Sequence, residues 1–237
     1  RIVAGIDGAG FSGVRLFDDA ATEIATLDSQ ARSVVLRDAA GGERLRLGAD
    51  DGATGLSGMA LFDADGTETV AVDGQKRTAI FRDEANLARV RVASAGGEIA
   101  VSDGDVADLG EAGGLAGLRM RGAGMFDGFD SGGRLRSRLD AEAATFALQD
   151  NAGVESVFVD GQGRQLVMRD DANLARVRVA SAGGEIAVSD GNVADLGAAG
   201  GLAGLRMRGS GMFEGFDAAG RLRSQLNSET GSMTLRD

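Results

Sequence analysis

Short runs along this chain alternate apolar and polar residues: ETVAV (68–72), LARVRV (87–92), EIAVS (98–102) and TFALQ (145–149). Alternation with period two predicts short β-strands with one face buried and one face wet. Between the runs lie ADG (64–66), DGQ (73–75), DNAG (150–153) and DGQG (160–163). These are turn segments, because Asp, Asn and Gly accept positive φ and bond to their own backbone. Asp recurs with a beat of ten: at 18, 28 and 38, then 63, 73, 83 and 103, then 130, 140, 150, 160, 170 and 190, and finally at 217 and 237 with Asn227 between them. Ala93 and Ala180 stand where an Asp is skipped.

The alternation has two phases. Before Asp38 the apolar residues lie four and two positions back (Val34, Leu36), whereas before Asp28 they lie three and one back (Ala25, Leu27). Val14/Leu16, Ala79/Phe81, Ile99/Val101 and Ile186/Val188 keep the first phase, and Val70/Val72, Val157/Val159 and Val177/Val179 the second. The unit is therefore twenty residues, with two short strands and two turns. Equivalent side chains are expected to stack twenty residues apart, and the apolar stripe is expected to be the core.

A longer repeat overlies this beat. Residues 82–137 and 169–224 align without gaps at an offset of 87 and differ at seven of 56 positions, all small or polar changes. One continuous array over 1–237 is the domain organisation this predicts. Gly-rich insertions at 104–129 and 191–216 break the beat. They read either as protruding loops that bind a partner or, preferably, as bulged, re-registered shaft. The paired phenylalanines of FDGFD (126–130) and FEGFD (213–217) are expected to plug the core where the stripe is interrupted.

Each strand offers about two inward apolar residues, a thin core for one chain to close alone. Repeat arrays answer this by stacking neighbours along an axis, and several copies wound together also remove exposed sheet edges. The expected fold is all-β, an elongated repeat array of the triple-stranded β-helix, β-prism or β-solenoid kind. At one strand spacing of about 4.8 Å per ten residues it would be a rod on the order of 100 Å long. The segments LFDADGTETVAVDGQ (61–75) and VFVDGQGRQLVMRD (157–170) resemble the shaft repeats of trimeric phage tail fibres and bacterial surface fibres. That resemblance implies an extracellular, cell-surface or virion-borne homotrimer acting as a spacer between anchor and tip. It transfers no functional residue.

Composition narrows the chemistry. The chain has 39 Gly, 4% aromatic residues (all Phe), and no Pro, Cys, His, Trp or Tyr. Nucleophilic triads and His- or Cys-based metal sites are thereby excluded. A net charge of −11 argues against nucleic acid, whose binding depends on clustered cations. No apolar run approaches the length of a membrane span. Abundant Asp and Glu leave a tailspike-like polysaccharide hydrolase as a third reading, but no unrepeated constellation marks an active site. No catalytic or cofactor-binding residue is predicted. A second reading is a glycan- or receptor-binding adhesin module built on the Gly-rich insertions. Asp103, Asp105, Asp127 and Asp130, with Asp190, Asn192, Glu214 and Asp217 in the second copy, are candidate Ca²⁺ ligands, since oxygen clusters in Gly-rich loops bind that ion. Solvated turn acids are the plainer account of the same residues.

Overall fold

The computed structural model describes residues 1–6, 11–48, 57–111, 114, 116–198 and 203–236. Strands and turns alternate throughout, with only three short 3-10 turns among these residues. The chain divides into two compact units. The first, Arg1–Gly122 with Asp130–Gly133, holds β1 (Ile2–Ile6), β2 (Ser12–Phe17), β3 (Glu23–Asp28), β4 (Ser33–Arg37), β5 (Glu43–Gly48), β6 (Gly58–Phe62), β7 (Glu68–Asp73), β8 (Thr78–Arg82), β9 (Ala88–Ala93), β10 (Glu98–Ser102) and β11 (Gly117–Arg121). The second, Ala123–Phe129 with Arg134–Asp237, holds β12 (Met125–Phe129), β13 (Leu135–Asp140), β14 (Thr145–Gln149), β15 (Glu155–Asp160), β16 (Gln165–Arg169), β17 (Ala175–Ala180), β18 (Glu185–Ser189), β19 (Gly204–Arg208), β20 (Met212–Phe216), β21 (Leu222–Asn227) and β22 (Ser232–Leu235).

Within each unit every strand pairs antiparallel with the next, so each is an open meander. The stacking of equivalent strands that a solenoid requires does not form. Leu16 pairs with Ala25, which pairs in turn with Leu36, so residues twenty apart lie two strands away with an antiparallel strand between them.

The Asp beat is explained by two kinds of hairpin. In the first, exemplified by Asp170, the Asp carboxylate accepts the backbone N–H groups of Ala172 (3.0 Å) and Leu174 (2.9 Å). The residue three after the Asp takes a left-handed conformation, as at Gly41, Gly66, Asn86, Gly153, Asn173 and Gly220, where Gly and Asn meet little steric penalty. Register shifts at Leu36/Arg37, Phe81/Arg82 and Met168/Arg169 mark a bulge at these turns. In the second kind, exemplified by Asp73, the carboxylate accepts N–H groups two and three residues on, from Gln75 and Lys76 at 2.9 Å each. Here the left-handed residue is the fourth after the Asp: Arg32, Arg77, Ala144, Arg164 and Gly231. Asn227 serves as well as Asp, its side-chain oxygen accepting from Glu229 and Thr230. At the skipped beats, Gly96/Gly97 and Gly183/Gly184 supply positive φ directly. Alternation of a bulged and an unbulged turn shifts the apolar positions by one residue relative to the Asp. That shift is the origin of the two sequence phases.

Both phases place their apolar residues on the same face of the meander. The opposite face carries a column of Arg alternating with small apolar residues: Val35 opposite Arg46, Arg46 opposite Ala60, Arg91 opposite Ala100, Val167 opposite Arg178, Arg178 opposite Ala187. Arg stems lie along the sheet while their heads meet carboxylates, as in Arg46 Nε–Glu43 Oε1 (2.7 Å), Arg91 with Glu98 and Arg178 with Glu185. The small residues beneath are thereby dry: Ala60, Ala100 and Ala187 are each 1% exposed.

Val101 and Val188, read as core, are 44% and 46% exposed within one chain. The buried apolar side chains of the strands are on the charged face, where Arg stems and an overlying loop cover them.

Candidate functional site

The apolar face is the site with functional potential. It consists of two columns per unit. In the second unit one column runs Phe126, Leu139, Phe146, Val159, Leu166, Val179, Ile186, Met207, Phe213, Leu226, Met233 by direct cross-strand pairing. The other runs Leu148, Val157, Met168, Val177, Val188, Leu205. In the first unit the equivalents include Leu27, Val34, Leu47, Met59 and Val72, and Leu36, Leu45, Leu61, Val70, Phe81, Val90 and Val101. Such pairs stabilise a ladder, but among the described residues no layer covers them. Monomeric soluble proteins rarely leave apolar patches beyond about 300–600 Å² uncovered, and larger ones mark interaction surfaces.

The Gly-rich insertions combine features of both sequence readings, a loop and further paired strands. Each begins with a loop that folds onto the charged face and then supplies two further strands, β11 and β12 in the first copy, β19 and β20 in the second. In the loop of the second copy, the Asn192 side chain accepts from the Ala194 N–H (3.1 Å) and starts a 3-10 turn, Val193–Asp195. Val193 and Leu196 are then buried with Val167, Ala175, Ala187 and Phe216. Arg206 binds the loop from below: its Nη1 donates to the Leu196 carbonyl (3.4 Å), its Nε to Glu214 (2.8 Å), and its guanidinium lies 5.1 Å from the centre of the Phe216 ring. Asp105, Val106, Leu109 and Arg119 repeat the arrangement in the first copy. The loop descends so closely that a Cβ on Gly204 would sit 2.6 Å from Leu196 Cδ2 and 2.3 Å from the Val188 carbonyl oxygen. Only glycine fits there.

The paired phenylalanines are split by the sheet rather than plugged into one core. Phe213 projects on the apolar face and is 43% exposed, whereas Phe216 is buried beneath the loop on the charged face. The candidate Ca²⁺ ligands are likewise dispersed. Asp105 and Asn192 cap 3-10 turns, and Asp130 and Asp217 accept turn N–H groups from Gly132 and from Ala219 and Arg221. Asp127 is fully buried and paired with Arg138 (2.7 Å), and Glu214 with Arg206 and Arg208 (2.8 and 3.3 Å). Asp103 and Asp190 are exposed at the start of their loops. No group of three or more acidic side chains placed to hold a metal ion occurs among the described residues, and none of their helices is long and apolar enough to cross a membrane.

The strands of the insertions escaped the sequence reading. Their signal is present as L-R-M-R at 118–121 and 205–208 and as M-F-D-G-F at 125–129. It was obscured by the Gly residues on either side.

No family model and no curated protein matches the sequence. Among solved structures the chain is similar to the TCP10 domain of Danio rerio CPAP, seen in complex with a peptide of Danio rerio STIL. The TM-score is 0.37 at 10% identity, over 96% of this chain and 100% of that one. It is also similar to a part of the chain in the TcdB2-TccC3-Cdc42 structure, at TM-score 0.24 and 12% identity, over 96% of this chain and 13% of that one. A third similarity is to ASR alternansucrase in complex with isomaltononaose, at TM-score 0.21 and 13% identity, over 98% of this chain and 17% of that one. At these scores none assigns the chain a function.

Proposed function

We propose that this chain is a structural segment of a homo-oligomeric fibre, in which copies of the chain cover one another's apolar faces. The observation that carries this reading is the contrast between the two faces of each meander. One is closed by its own Arg–carboxylate pairs. The other presents two apolar columns that no described residue covers. A partner that covers columns repeating at every strand must itself repeat at the pitch of the strands, and another copy does so. Three single-layer sheets, apolar faces inward, enclose a dry interior and leave charged faces outside. A trimer is also what the resemblance to fibre shafts implies. In this reading the 87-residue repeat is a length module, the role is that of a spacer, and the setting is a cell surface or virion.

The test is a deletion. Removing residues 82–168 joins Phe81 to Arg169. Arg82 and Arg169 each close a strand before an Asp turn, in β8 and β16, so the junction preserves both phase and turn. The variant is expected to keep its β-type circular dichroism and its oligomeric state while electron micrographs show a shorter rod. Loss of assembly, or an unchanged length, contradicts the spacer reading.

A further inference from the structure

On the apolar face of the second unit the rule of two bulky residues per strand is broken on the pair of strands at the end of each insertion, and most openly on β20 and β21. After Val188 and Leu205, the second column continues through Gly215 and Ser224 before Leu235. The missing side chains leave a cleft of about 300 Å³ bordered by Leu205, Phe213, Leu226 and Met233. Gly215 is buried at its floor. Beside this hole stands a knob: Leu205 is 65% exposed. Its counterpart Leu118 is 63% exposed, and only Ile2, Met233 and Leu235, at the chain ends, exceed these values among the described large apolar residues. The hole also has a counterpart, because Gly128 and Ser137 pair on β12 and β13 as Gly215 and Ser224 do on β20 and β21.

We infer that the Gly215–Ser224 cleft is a register key, filled by the Leu205 side chain of a second copy of this chain. The inference rests on the assembly proposed above and adds what fixes the axial alignment of the copies. Uniform apolar columns with a pitch of one strand would pair equally well after a slip of two strands, much as flat, featureless strands slip in register. A knob and a hole that occur once per 87 residues remove that degeneracy. In the second unit the knob and the hole lie side by side on one face, Leu205 pairing with Gly215 across β19 and β20, so a second copy presents its own knob to this hole. The area is also sufficient. The second unit exposes fourteen large apolar residues. At roughly 70 Å² each they offer about 1,000 Å², above the ~800 Å² per partner of a stable interface.

The absence of cysteine from the chain makes the test direct. Leu205→Cys and Ser224→Cys are made as separate chains, mixed, refolded and oxidised. Within one chain these positions lie two strands apart, about 9.6 Å, beyond the ~7 Å limit for a disulfide. A bond between them therefore reports contact between copies. The expected result is a cross-linked species of twice 24.1 kDa on a non-reducing gel, several-fold stronger in the mixture than with either variant alone. The double variant is expected to give a covalent product of the full assembly. If the wild-type chain sediments as an oligomer but the mixture cross-links no more than its components, the register key is overturned while the assembly stands. If the wild-type chain sediments at 24.1 kDa, both are overturned.

Discussion

Ala187 and Val188 are neighbours on β18, yet Ala187 is 1% exposed and Val188 46% exposed. The buried one lies on the charged face, under the Arg178 and Arg206 stems that flank it across the sheet and the loop carrying Leu196. The exposed one lies on the apolar face. The smaller residue is dry because side chains of its own chain cover it, and the larger is wet because no described residue of its own chain does.

Opposite responses to substitution follow at these two positions. Val188→Asp would bring an unpaired carboxylate into the interior of the proposed assembly, at a cost of several kcal/mol. It is expected to dissociate the oligomer at neutral pH, read as a fall in sedimentation mass. Ala187→Leu overfills the charged face and should destabilise each chain by roughly 1–3 kcal/mol, read as a lower urea midpoint with assembly retained. Dissociation by Ala187→Leu alone would show that the faces are assigned the wrong way round.

The same contrast applies to two leucines of the insertion. Leu196 is 5% exposed and packs on Phe216 within the second-copy loop, so Leu196→Ala should cost about 2–5 kcal/mol. Hydrogen exchange should locate the loosening at β18 and β19. Leu205→Ala should change the stability of the isolated chain by roughly 0.5 kcal/mol or less. Equal losses from the two would mean that the loop does not hold the charged face.

Arg32, Arg77 and Arg164 occupy left-handed positions with φ of 49°, 54° and 51°. A side chain there costs roughly 1–2 kcal/mol relative to glycine, partly offset by glycine's greater freedom when unfolded. Arg164→Gly is expected to raise the thermal midpoint, with a gain of about 0.5–1 kcal/mol. Arg169→Gly, on a strand, should lower it. A destabilised Arg164→Gly would show that the Arg side chain contributes more than its backbone strain removes.

Asp38, Asp83, Asp170 and Asp217 are held below the ordinary value of 3.8, first by the N–H four residues on, against some desolvation, and then by an Arg six residues on, which for Asp217 follows the Ala219 N–H. Asp73 is lowered in the same direction, first by the Lys76 N–H. A carboxylate with a depressed folded pKa contributes stability that is full above its unfolded value and lost as pH falls through the folded one. Stability from the turns should therefore be level from neutral pH down to about 5 and fall below about 4. Denaturation midpoints across this range check it, and Asp170→Asn, which keeps an acceptor oxygen, should flatten the acid limb. An acid limb as steep in variants lacking these carboxylates would place its origin elsewhere.

Much of the fold was legible in the sequence because each strand-and-turn pair carries its own instructions. ETVAV, LARVRV and TFALQ alternate strictly, and Asp or Asn marks the turns at which side-chain oxygens cap backbone N–H groups. What alternation cannot say is which face becomes dry. Val101 and Val188 look like core by hydropathy, while Arg91 and Arg178 look like surface, yet the stems of those arginines cover Ala100 and Ala187. On the proposal that copies of the chain cover the apolar face, its burial depends on molecules beyond the single chain, which no residue pattern within it records. The loop around Val106 and Leu109 was missed for another reason. Its contacts are long-range, and its Gly-rich sequence reads locally as an interruption of the array.

The central claim, that copies of the chain cover its apolar face, is tested most directly by the solution mass of the intact chain across a wide concentration range, measured by sedimentation equilibrium. The account predicts a stable multiple of 24.1 kDa, with three copies favoured, that persists on dilution and is lost in Val188→Asp. A single species of 24.1 kDa at every concentration would contradict it.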